Sequence, residues 1–78
     1  MGVKTVYLFN PEMLIVARET RGLSADDLAD EVCIATDQQA DIEAGASVPS
    51  HWLVSLYSDV LRYPVPFFYC SNKTEGKE

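Results

Sequence analysis

Residues 22–45 read GLSADDLADEVCIATDQQADIEAG, and their punctuation specifies two short helices joined by a tight turn. Gly22 can take the left-handed conformation that closes a preceding helix. Ser24 then offers a side-chain cap, and Asp27 three residues on completes a capping box with Asp in place of Glu. Leu28, Ala29 and Val32 give the helix that follows a single buried face. Cys33-Ile34-Ala35 is too short for anything but a turn. A second helix is expected from about Thr36 to Glu43, with Gly45 as its stop.

Working outward from this unit, Asn10 caps an upstream helix and Pro11 suits its first position, where a missing N–H costs nothing. That helix should reach about Arg21. Before it, VKTVYLF at 3–9 is β-branched and aromatic and reads as a short strand or extended arm. Downstream, 46–49 is a loop, Ser50 a cap, and a fourth helix should run to about Leu61. Its Leu53, Leu56, Tyr57, Val60 and Leu61 repeat at helical spacing. Pro64 and Pro66 then restrict the residues before them and break the helix. Phe67-Phe68-Tyr69 reads as one closing turn of helix or a short strand, and FFYC at 67–70 could pair with VYLF at 6–9 or across a dimer. The division expected is an arm at 1–9, a helical domain at 10–70 and a flexible tail at 71–78. The core should draw on Leu14, Ala17, Leu23, Leu28, Val32, Ile34, Ile42, Leu53, Tyr57, Val60 and Leu61.

A chain of 78 residues has room for one such core, and 47% apolar residues suffice to fill it without staples. Cys33 and Cys70 fit no metal, redox or disulfide spacing, so both are expected as reduced thiols, Cys33 as a small buried hydrophobe. The longest apolar run, MLIVA at 13–17, is far short of a membrane span. Asn10-Pro11-Glu12 stops any signal-peptide core, and Val6 stands where a myristoylation motif wants Ser or Thr. A cytoplasmic protein is expected. His51 is the single histidine, it sits in the first turn of a helix, and no nucleophile–base set or glycine-rich phosphate loop accompanies it. No enzyme, cofactor, metal or small-molecule ligand is therefore expected.

Taken together, NPEMLIVARETRGLSADDLADEV at 10–32, a small turn, IEAG at 42–45, PS at 49–50 and VLRYPVPFF at 60–68 resemble the Cro/Xre helix-turn-helix family. The pieces fall in the family's order with its gaps over about residues 9–69. The YPV-x-FF ending is similar to units found beside phage-type metallopeptidases, although no HExxH is present here. The resemblance implies an all-α, compact four- to five-helix domain, with a short N-terminal strand as an optional addition. It also implies a structural ion pair between Arg18 in the first helix and Glu43 at the end of the third. Such a pair fixes geometry more than it adds stability.

Family members read DNA with the exposed face of the third helix, which places Thr36, Asp37, Gln38 and Asp41 at the reading positions. Gln38 can bond bidentately to adenine. Asp37 and Asp41 are poor choices beside phosphate. Ala25 replaces the phosphate-contacting Gln that usually opens the second helix, and Ala46-Ser47-Val48 replaces a loop that is often basic. Gln39 stands where the family buries Ile or Val, so it should point outward, or the helix should sit at a shifted angle.

Charge sharpens the contrast. Twelve acids oppose six bases, and from Gly22 to Leu61 there is no Lys or Arg. Most protein–DNA affinity comes from cations displacing counterions on phosphate. Two functions remain. In one, a regulatory protein keeps the scaffold but meets a partner, basic in character, or a second copy of itself. It would use an acidic surface at Asp26, Asp27, Asp30 and Glu31 and an apolar patch at Met13, Ile15, Val16, Val48 and Trp52. In the other, a dimeric repressor binds an operator through Thr36 and Gln38, helped by Lys4, Arg21 and Arg62. The charges favour the first.

Overall fold

The computed structural model describes residues 8–69. Four α-helices follow one another: α1 (Pro11–Thr20), α2 (Ala25–Glu31), α3 (Thr36–Glu43) and α4 (His51–Leu61), closed by a 3₁₀ helix at Val65–Tyr69. This is the all-α architecture expected, and no strand occurs among the described residues. The caps act as read. Asn10 Oδ1 accepts from the Glu12 N–H at 3.0 Å, Ser24 and Asp27 exchange both bonds of a capping box, and Ser50 Oγ accepts from the Leu53 N–H.

The first three helices end alike. In each, a residue with positive φ follows the last turn: Gly22 at +76°, Cys33 at +62° and Gly45 at +81°. The N–H of the residue after it donates back across the last turn, Leu23 to Arg18, Ile34 to Ala29 and Ala46 to Asp41. This is the Schellman closure, which favours glycine at the left-handed position. The turn between α2 and α3 closes on a cysteine instead, and as its left-handed residue Cys33 is exposed and not the buried hydrophobe anticipated. A left-handed non-glycine residue costs about 1–2 kcal/mol, partly offset by the greater freedom glycine has when unfolded. Cys33→Gly should therefore raise stability by about 0.5–1 kcal/mol in urea titration. A loss would show that the thiol contributes packing.

Leu14 and Ala17 of α1, Leu28, Ala29 and Val32 of the α2 segment, Ile42 of α3, and Leu53, Val54, Tyr57 and Leu61 of α4 form the core with Phe68. Leu23, Ile34 and Val60, expected inside, are half-buried against it. Phe68 seals the far end. Its ring lies beside Tyr57, its carbonyl accepts from the Asn10 N–H at 2.7 Å, and Phe9 meets Tyr69 edge-on.

The segment at 67–69 is thus a closing helical turn and not a strand. Pro66 has no N–H for a sheet ladder, and the Phe67 N–H donates to the Pro64 carbonyl. Leu8 and Phe9 carry no regular structure, while Val6, Tyr7 and Cys70 lie outside the described residues. The expected pairing of VYLF with FFYC is replaced, where it is described, by the Asn10–Phe68 bond and the Phe9–Tyr69 contact.

Candidate functional site

What α3 presents outward depends on what holds it from within. Arg18 Nε and Nη2 donate to the two carboxylate oxygens of Glu43 at 2.8 and 3.0 Å, and Nη1 donates to the Leu23 carbonyl at 2.8 Å. The side chains are only 12% and 11% exposed. One guanidinium therefore ties α1, the α1–α2 connection and the end of α3 together in the bidentate geometry that arginine favours.

Gln39 extends this network and corrects the expectation that it would point outward. It is fully buried. Its Nε2 donates to Glu43 at 2.7 Å, and its Oε1 accepts from the Tyr57 hydroxyl at 2.8 Å. Burying an amide costs little when both ends are paired, so the polar residue occupies a place that an apolar one could fill. The signal was present but non-local. Gln39 lies one turn before Glu43, and a core tyrosine such as Tyr57 needs a partner for its hydroxyl.

Burial, and then the negative charge of Glu43, push the Tyr57 hydroxyl well above its ordinary value. Because the folded value is raised, the stability this group contributes is complete below the unfolded value near 10 and is lost as pH rises beyond it. The unfolding free energy from urea titration should fall above about pH 10, by as much as about 1.4 kcal/mol per pH unit from this group. Tyr57→Phe should flatten that slope. An unchanged slope would assign the alkaline loss elsewhere.

With Gln39 and Ile42 turned inward, Thr36, Asp37, Gln38 and Asp41 are all exposed on α3. Asp26, Asp27, Asp30 and Glu31 are exposed on α2. Structural reasons account for some of these acids. Asp26, Asp27 and Asp37 lie in first helical turns, where the helix dipole favours them. Asp30 and Glu31 lie at the opposite, unfavourable end of α2. Spacing adds to the cost: Asp26 with Asp30, Asp27 with Glu31, and Asp37 with Asp41 are like charges at i, i+4, each destabilising by about 0.2–0.5 kcal/mol. No basic residue stands in the last turn of α2 or α3 to relieve them.

Two of the three described arginines are engaged. Arg18 is held by Glu43. Arg21 donates from Nε to the Leu61 carbonyl at 2.6 Å and from Nη2 to the Arg62 carbonyl, with its guanidinium 4.9 Å from the centre of the Tyr63 ring. It supplies the positive charge that the last turn of α4 lacks. Arg62 is exposed at the left-handed end of α4, and Lys4 lies outside the described residues.

The apolar candidates divide. Met13 and Ile15 are half-buried, while Val16, Val48 and Trp52 are exposed, Trp52 at 72%. Trp52 stands on one wall of an open groove of about 500 Å³, floored by Val32, Ile34, Leu53 and Leu56, between the α2–α3 turn and the start of α4. The other four do not line it. His51 is exposed in the first turn of α4. Among the described residues no cluster of His, Cys, Asp and Glu could hold a metal ion, and no helix is long and apolar enough to cross a membrane.

No family model matches the chain, and no curated protein does. Among solved structures it is similar to an HTH_3 family transcriptional regulator from Vibrio cholerae, with 25% identity and a TM-score of 0.67 over 76% of this chain. The match takes in 33% of that regulator, so the chain corresponds to about a third of its length. The four-helix arrangement, held by caps, left-handed closures and a buried polar network, is a fold that this chain shares with part of that HTH_3 family transcriptional regulator.

Proposed function

We propose that this chain is a small regulatory helix-turn-helix protein whose α2–α3 face contacts a basic protein surface, with duplex DNA bound weakly or not at all. The observation that carries this reading is the set of acids that the fold pays for without needing them. Asp30 and Glu31 oppose the dipole of α2, and Asp41 repeats the charge of Asp37 on the face that would enter a groove. Local rules broken without structural compensation mark functional positions. The similarity to a transcriptional regulator supports a regulatory role.

The same similarity, with Thr36 and Gln38 exposed on the first turn of α3, supports a second reading as a dimeric operator-binding repressor. Titration of fluorescent random duplex at about 0.15 M salt separates the two. The protein-partner reading expects no saturable binding at concentrations up to about 10⁻⁴ M, the weak limit of ordinary non-specific binders. Tight, salt-dependent binding of the wild-type chain to a palindromic duplex, lost on Gln38→Ala, would overturn it.

A further inference from the structure

We infer that the groove beside Trp52 is the docking site for an amphipathic basic helix of a partner protein, a proposal that rests on the protein-partner reading and specifies it. The groove has an apolar floor of Val32, Ile34, Leu53 and Leu56, an exposed indole as one wall, and Glu31 on its rim. An exposed tryptophan beside an apolar cleft has the character of an interface anchor, since tryptophan is enriched where binding energy concentrates. Helix-in-groove recognition sets side chains at i, i+3, i+4 and i+7 into such a cleft.

Charge decides the occupant. Glu31 is the one charged residue lining the groove. The elements that frame it carry Asp26, Asp27, Asp30, Asp37, Asp41 and Asp59, and no lysine or arginine occurs between Gly22 and Leu61. A second copy would bring its own excess of acids, net charge −6, toward Glu31 and meet like charge. A helix with leucine-type anchors on one face and lysine or arginine on its flanks meets Glu31 at the groove and no lysine or arginine on the helices that frame it. Such complementarity steers encounter and suppresses wrong partners.

The test uses the full chain and three synthetic helical peptides of about four turns. One carries leucine on one face and lysine elsewhere, the second replaces each leucine with alanine, and the third replaces each lysine with glutamate. Trp52 is the chain's single tryptophan, so its emission should move to the blue only as the groove fills. Cys33 also lines the groove, and in a Cys70→Ser background its reaction with maleimide should slow several-fold on binding. The leucine–lysine peptide should bind at least tenfold more tightly than the alanine–lysine peptide. Trp52→Ala and Glu31→Lys, both at exposed positions, should each weaken it about tenfold.

Equal binding of the leucine–lysine and alanine–lysine peptides would overturn the groove and leave only charge attraction. Binding of the leucine–glutamate peptide, or a dimer that buries Trp52, would also overturn it. The duplex titration fails separately. If duplex binds while the leucine–lysine peptide still requires Trp52, the groove stands and the protein-partner reading alone is lost.

Discussion

Glu43→Ala should lower the stability of the chain by about 3 kcal/mol, the scale observed when one half of a buried ion pair is removed. The expectation rests on how many groups the carboxylate serves. It accepts from Arg18 Nε and Nη2 and from Gln39 Nε2, and all three donors lose a partner together. The Arg18 guanidinium keeps only its bond to the Leu23 carbonyl. Gln39 is fully buried, and its amide loses the acceptor that paired it. For a domain of this size about 3 kcal/mol corresponds to a fall in Tm of roughly 12–24 °C. Replacing both partners with apolar residues, Arg18→Met with Glu43→Leu, should cost less than the sum of the two single changes, because no charge is then stranded. A loss below about 1 kcal/mol for Glu43→Ala would mean that the pair behaves as an exposed one.

This network also shows where sequence reading reaches and where it stops. The helix boundaries were legible because they are local. Asn10-Pro11, Gly22, Ser24 with Asp27, Gly45 and Ser50 act within a turn of themselves, and each occupies in the structure the end it was read to mark. Gln39 was not legible in that way. Its inward orientation depends on Tyr57, eighteen positions away, and on Glu43 being held by Arg18. Cys33 misled for a related reason, since an apolar stretch says nothing of which residue will take a positive φ. The closing 3₁₀ turn needed Asn10 from the other end of the chain to fix it. Of the candidate site, exposure of the acids could be read from the pattern. The engagement of Arg21 with the end of α4 could not, because it joins residues forty apart.

Reversing the charge of the α3 face should create DNA binding on an otherwise unchanged fold. Asp37 and Asp41 are exposed on the face that a reading helix would present, so Asp37→Arg with Asp41→Lys disturbs no buried contact. It also removes a like-charged i, i+4 pair only to replace it with another, which leaves helix stability nearly level. What changes is the encounter with phosphate. Each new cation that neutralises a phosphate releases a counterion and adds about 0.9 to the slope of log K against log salt, so the pair should give a slope near −2. The double variant should therefore bind random duplex measurably at about 0.05 M salt and lose most of that binding at about 0.2 M. The remaining acids on α2 set the ceiling. Adding Asp30→Lys and Glu31→Lys should steepen the slope further and, by placing cations at the C-terminal end of α2, raise stability by a few tenths of a kcal/mol each, on the order expected for the helix dipole. Gain of function together with gain of stability would identify these acids as residues retained for a contact that is not with DNA. If the reversed protein stays silent toward duplex while its fold is intact, the α3 face is not geometrically able to enter a groove, and electrostatics is not what keeps the wild-type chain off DNA.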